Sequence, residues 1–227
     1  MQIQGKPSLI RYGGLYGKKV YMGSEVLYAS DPNDMSSSTI DVELYDYIYN
    51  DANNTGIIDT NYILTTGTTI QIKLQVTDRD GNAFLYNGQE MDTDGEFRVF
   101  FAPQVFLGGL YFDWNNSRVN GSFTIPSGDT TATLEIGNYY LKNLDTDTNI
   151  DTGSTQSATQ GTLHIFYNKS ENGHYDREKI YWLKIYESGT LKMNLLPAKY
   201  NGVAGFYDKV NNTFLSPTDG TLALGRG

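Results

Sequence analysis

Few residues in this chain are equipped for catalysis. It has no cysteine and only two histidines, His164 and His174, so thiol nucleophiles are absent and histidine acid-base chemistry has two candidates. His164 lies within LHIFY and reads as a strand residue, while His174 follows Asn172-Gly173 in a turn. Glycosidic bond hydrolysis needs two carboxylates facing one cleft. The nearest approach is Asp41-Val42-Glu43-Leu44-Tyr45-Asp46, where Asp41 and Glu43 share one strand face and Asp46 takes the other. No catalytic residue emerges, and the chain is expected not to be an enzyme.

Binding chemistry is better represented. Asp78-Arg79-Asp80-Gly81-Asn82 places the oxygen ligands Asp78, Asp80 and Asn82 at alternate positions, as a Ca²⁺ loop does. The twelfth position of that loop is Gln89 and not Glu, so it is not an EF-hand, and a solvated turn is the simpler reading. Asp92-Thr93-Asp94-Gly95-Glu96 and the acidic stretch 145–151 are similar. Ca²⁺ is the one ion these loops could hold; no other cofactor is expected. Sugar recognition needs an aromatic face beside amide or carboxylate groups that take hydroxyl hydrogen bonds. LYFDWNNS supplies Tyr111 or Trp114 beside Asp113, Asn115 and Asn116, with core packing the competing role for each aromatic.

The composition says what must position these groups. Eighteen Tyr and 24 Gly, with many Thr and Asn, favour strands broken by turns. No amphipathic helix stands out. At 227 residues the chain can bury roughly three quarters of its unfolded surface without disulfides. A net charge of −9, with the 17 basic residues scattered, argues against a nucleic-acid partner. No signal peptide and no run long enough to span a membrane as a helix is visible, so no membrane span is expected.

Strand signals recur at sandwich spacing over 40–49, 57–63, 68–77, 97–101, 105–112, 121–125, 131–140, 161–168, 178–186, 190–196 and 203–207, with short closing pieces at 213–215 and 221–224. Ile70, Ile72, Leu74 and Val76 alternate without a break and should face one way. In 176–186 apolar residues occupy both alternating sets, which predicts a strand buried on both faces. The stretch 145–160 has almost no apolar residues and reads as an exposed loop. Residues 1–40 hold short β-like pieces too small to bury a core of their own. Tyr12, Tyr16, Val20, Tyr21, Met22, Val26, Leu27 and Tyr28 therefore need a partner surface, and are assigned to assembly.

The densest pattern is C-terminal. In KIYESGTLKMNLLPA a strand ends at Tyr186, Glu187-Ser188-Gly189 turns, and Leu191, Met193 and Leu195 alternate until Pro197 ends the pairing. Gly205-Phe206-Tyr207-Asp208 and Asn211-Asn212 form a second hairpin, with Tyr207 expected in the core. Together with GIIDTNYILTTGTTIQIKLQV at 56–76, this run resembles concanavalin A-like (LamG/pentraxin-type) jelly-roll domains of tailed-phage virion proteins and gut-bacterial surface proteins. VYMGSEVLY at 20–28 is similar to a short element near the ends of phage virion proteins. The Glu-x-Asp-x-x-Glu pattern of laminarinase-like enzymes is missing.

The resemblance implies an all-β concanavalin A-like jelly-roll sandwich over 41–227, carried by an N-terminal anchor over 1–40. It also implies a virion location as a capsid decoration, head fibre or tail-associated protein. Expected partners are other virion proteins and sister subunits, in a homo-oligomer with a trimer favoured. A host-surface glycan is the candidate ligand. The alternative is a carbohydrate-binding, lectin-like domain of a bacterial surface protein.

Overall fold

Alternating Thr, Ile, Gln and Lys residues in TTIQIKLQ form the central strand of the molecule, because every second side chain can be buried while its neighbours stay in water. In a computed structural model of the chain, this strand and its partners build an all-β protein, with no helix among the described residues. The structure describes residues 40–50, 55–75, 83–87, 97–101, 110–114, 117–120, 131–138, 140–151, 157–166 and 178–227, together with four short strands before residue 29. No helix among them is long and apolar enough to cross a membrane.

The chain divides into two compact units, 1–39 and 40–227. In the first, β1 (Arg11–Tyr12) pairs with β2 (Leu15–Tyr16), and β3 (Val20–Met22) with β4 (Glu25–Tyr28), both antiparallel. The assembly residues Tyr12, Tyr16, Val20, Tyr21, Met22, Val26, Leu27 and Tyr28 sit on these four strands; their side chains lie outside the described residues.

The second unit contains β5 (Glu43–Leu44), β6 (Tyr47–Tyr49), β7 (Ile58–Asp59), β8 (Thr68–Gln75), β9 (Ala83–Tyr86), β10 (Phe97–Phe101), β11 (Leu110–Trp114) and β12 (Ser117–Asn120). It continues with β13 (Thr131–Gly137), β14 (Tyr140–Asn143), β15 (Thr148–Asp151), β16 (His164–Ile165), β17 (Lys179–Glu187), β18 (Thr190–Tyr200), β19 (Val203–Asp208), β20 (Thr213–Leu215) and β21 (Ala223–Gly225). One sheet runs β15-β14-β13-β8-β17-β18-β19-β20, with β5, β6 and β21 added along it; the other runs β12-β11-β10-β9-β16-β7. All pairings are antiparallel.

The two sheets share one buried cluster. Ile70, Ile72, Leu74, Leu134, Ile136, Leu183 and Ile185 from the large sheet join Leu85, Phe97, Val99, Phe112, Trp114 and Ile165 from the six-stranded one. This is a jelly-roll sandwich, as expected, and each such side chain contributes about 1.5–3 kcal/mol when fully buried. Ile70, Ile72 and Leu74 do face the core together; Val76 lies outside the described residues.

Several local expectations are corrected. Of the strand expected over 105–112, residues 105–109 lie outside the described residues and the rest belongs to β11, Leu110–Trp114; the expected strand over 121–125 lies outside them too, and 131–140 is broken by a turn into β13 and β14. Strand β9 has no alternation to reveal it, since Phe84, Leu85 and Tyr86 are all buried. The acidic stretch is not one exposed loop: residues 148–151 pair with β14, and Thr159 is buried. Pairing there is set up by Asn143, whose Oδ1 accepts the Asp145 amide, and by Asp145, whose Oδ2 accepts the Thr133 amide. Pro197 does not end β18, which continues to Tyr200. It falls where the neighbour of β18 on one side changes from β17 to β5, a place where no ladder donor is needed.

Candidate functional site

A slip in one strand creates the most distinctive surface of the molecule. Ile180 of β17 lies opposite Leu74 of β8, and the next pair is Trp182 with Lys73, so Tyr181 is an extra residue on the β17 side. Strict alternation would put Ile180 with Trp182 on one face and Tyr181 with Leu183 and Ile185 on the other. The bulge breaks that pattern. Ile180, Leu183 and Ile185 are all fully buried, and the consecutive rings of Tyr181 and Trp182 are only half-buried. The strand is therefore not buried on both faces. Its second aromatic set stands at the surface of the large sheet.

Neighbouring strands extend this surface. The Tyr181 ring lies 5.7 Å from that of Tyr47, which lies 5.8 Å from Tyr49. Three ammonium groups sit over rings: Lys179 over Tyr47 at 4.7 Å, Lys184 over Trp182 at 4.9 Å and Lys73 over Tyr181 at 5.7 Å. Polar groups fix the strip from one side. Tyr181 donates to Gln75 Oε1 at 3.2 Å and Tyr186 to Gln71 Oε1 at 3.4 Å, and the Gln71 amide donates to Glu135 at 2.7 Å. Glu135 also accepts from the Tyr140 hydroxyl at 2.8 Å.

A second row crosses the six-stranded sheet. The register sets Asp59 opposite His164, His164 opposite Tyr86, Tyr86 opposite Arg98, Arg98 opposite Asp113 and Asp113 opposite Arg118. His164 Nε2 lies 3.5 Å from Asp59 Oδ2 and 3.5 Å from Thr162 Oγ1. His164 is thus a strand residue, as its sequence context suggested.

At one end of the sandwich, Glu187 closes the β17–β18 hairpin, where Ser188 and Gly189 both have positive φ. Its carboxylate accepts from Thr65 at 2.6 Å, Tyr62 at 2.8 Å and Thr68 at 3.0 Å. Burial pushes the Glu187 carboxyl upward, but the hydrogen bonds from Thr65, Tyr62 and Thr68 and the charge of Lys192 outweigh it, leaving its pKa below the ordinary value. Burial and the bond to Glu187 push the Tyr62 phenol up to about 12. The cluster pins the loop before β8 to the hairpin.

The residues singled out from sequence fare unequally. Trp114 has no exposed surface; its ring packs edge-on against Phe97 and Phe112, and its Nε1 donates to the Ser157 carbonyl at 2.8 Å. It is a core residue and does not stack on a sugar, because alternation in β11 assigns it the same inward face as Phe112. Tyr111 and Asp113 take register positions opposite Phe100 and Arg98, and their side chains lie outside the described residues, as do Asn115 and Asn116 altogether. Asp78, Asp80 and Asn82 also lie outside them, and no group of three metal-ligating side chains occurs among the described residues. Glu43 and Asp46 hold the end of the chain: Arg226 donates to Glu43 at 2.7 Å and the Gly227 amide to Asp46 at 2.7 Å. The aromatic strip was within reach of the sequence, since Tyr47, Tyr181, Trp182 and Tyr186 are all visible there. Its assembly on one face depends on the bulge.

No family model and no curated protein matches the chain. Among solved structures it is similar to galectin-Ib of Xenopus laevis, at 12% identity over 57% of this chain and 98% of that chain, with a TM-score of 0.35.

Proposed function

We propose that this chain is a non-enzymatic, lectin-like adhesion protein that binds glycans on the outer face of its large sheet. The observation that carries the reading is the bulge at Tyr181, which turns two consecutive rings to the surface beside Tyr47. Half-exposed rings of this kind offer an apolar platform to a sugar face, and lysine and glutamine side chains beside them take hydroxyl hydrogen bonds. The motif resemblance at 56–76 and 184–217 extends the proposal to a virion: the sandwich is carried on a tailed-phage particle, and residues 1–40 join it to virion proteins or sister subunits, with a trimer the favoured form.

Affinity electrophoresis of the full chain against a panel of plant and bacterial polysaccharides tests the binding role. At least one polymer should retard the protein, and Trp182→Ala should weaken that binding roughly tenfold, about 1.4 kcal/mol, with the fold retained. Retardation by none of them, or an unaffected Trp182→Ala variant, rules the face out. Detection of the chain in purified phage particles by mass spectrometry tests the location.

A further inference from the structure

The strip of rings carries an electrostatic feature that points to a narrower ligand class. The chain as a whole is acidic, with 26 Asp and Glu against 17 Lys and Arg. Two cations elsewhere in the described residues sit against carboxylates: Lys142 pairs with Asp147 at 2.6 Å and Arg226 with Glu43 at 2.7 Å. Lys73, Lys179 and Lys184 do not, among the described residues, and rest instead on the rings of Tyr181, Tyr47 and Trp182. The nearby acid on this surface, Glu135, has both carboxylate oxygens taken by Gln71 and Tyr140.

We propose that the face selects acidic polysaccharides bearing uronic-acid carboxylates, with Lys73, Lys179 and Lys184 as the anion-binding groups. The inference rests on the glycan-binding reading above and sharpens it.

The positions of the ammonium groups make the selection. Each one covers the ring surface on which a pyranose would stack, so a sugar must move the lysine aside to reach the ring. A neutral sugar returns only uncharged hydroxyl acceptors for the lost cation–π contact. A uronate supplies a carboxylate on the rim of the same sugar ring, and the displaced ammonium swings onto it as a charge-assisted hydrogen bond. The arrangement also has length. Lys179 and Lys184 lie opposite Gln75 and Gln71, four residues of β8 apart, about 13 Å at the usual rise, which fits a short stretch of polymer better than a single sugar. Lys73, opposite Trp182 on β8, lies between them. The overall negative charge of the protein repels polyanions in general, so attraction has to be local to this strip.

The test uses the intact chain with polygalacturonate, alginate and hyaluronate, each before and after chemical reduction of its carboxylates, with dextran sulfate as a further probe. At least one uronate polymer should bind, and its carboxyl-reduced form should bind at least tenfold more weakly. The triple variant Lys73→Gln, Lys179→Gln, Lys184→Gln should lose a similar factor, and the triple Lys→Arg variant should keep the affinity, which separates charge from misfolding. Rising salt should weaken the wild type more than the glutamine variant. Equal or better binding of the reduced polymers, abolished by Trp182→Ala, overturns the acidic specificity and leaves the glycan-binding face intact. Binding of dextran sulfate alone overturns the choice of carboxylate. Binding of none of these polymers overturns the inference, and if the neutral polysaccharides of the wider panel also fail, the glycan reading falls with it.

Discussion

The Tyr62 hydroxyl donates a 2.8 Å hydrogen bond to the Glu187 carboxylate across 125 residues of sequence, joining the loop before β8 to the hairpin after β17. Thr65 and Thr68 complete the same carboxylate. Since the carboxyl is held below its ordinary pKa, its contribution to stability is present above the unfolded value, about 4.3 for Glu, and is lost as pH falls through the lower folded value. Glu187→Gln should cost about 1–3 kcal/mol near neutrality. Urea midpoints measured at neutrality and again on acidification below about pH 4.3 should show this difference shrinking. An equal difference at both pH values would contradict the linkage.

Tyr62 gives the opposite limb. Its phenol is raised from 10.0 to about 12 in the folded chain, so its contribution is complete below the unfolded value and disappears as pH climbs through the folded one. Wild type should therefore lose stability between pH 10 and about 12 in a way that Tyr62→Phe does not. Parallel alkaline denaturation curves for the two proteins would refute it.

Trp114 should behave as a core residue with a polar tether. Trp114→Ala is expected to cost about 3–5 kcal/mol by cavity formation. Trp114→Phe should cost less, about 1–3 kcal/mol, through the smaller ring and the loss of the hydrogen bond to the Ser157 carbonyl. Chemical denaturation reads both, and a neutral Trp114→Ala would contradict its burial.

In the C-terminal hairpin the buried aromatic is Phe206, fully inaccessible, while Tyr207 is half-buried and donates to Asn212 Oδ1 at 3.0 Å. Phe206→Ala should destabilise by about 3–5 kcal/mol and Tyr207→Ala by roughly half as much. The reverse order in thermal melts would show that the register of β19 is wrong.

Asp208 is a fully buried carboxylate whose Oδ1 accepts the Asn194 and Val210 amides, each at 3.0 Å, while Oδ2 takes the Asn211 side chain. Removing it leaves those donors without a charged acceptor. Asp208→Ala should cost about 3 kcal/mol or more. A melting temperature unchanged in this variant would exclude the network as a stabilising element.

Much of the fold was legible in the chain. Ile70, Ile72 and Leu74 announce the central strand by alternation, and Glu187-Ser188-Gly189 announces the β17–β18 turn, because both signals are local. The site was less so. Tyr111, Asp113 and Trp114 looked like one sugar-binding patch, but alternation along β11 makes Trp114 a core residue beside Phe112. Tyr207 was expected in the core, and its neighbour Phe206 occupies it, since a one-residue difference in register exchanges the two faces of a strand.

By itself, the sequence determined the class of the fold, the strands from residue 178 onward and the scarcity of groups for histidine or thiol chemistry; these follow from composition and from spacings within a few residues. Only the tertiary structure decided where the aromatic rings meet water. The bulge at Tyr181 exists because β17 must keep Ile180, Leu183 and Ile185 in the core while pairing with β8, more than a hundred residues earlier in the chain. Alternation records what a strand offers, whereas the partner strand sets the register and so decides which face each residue takes.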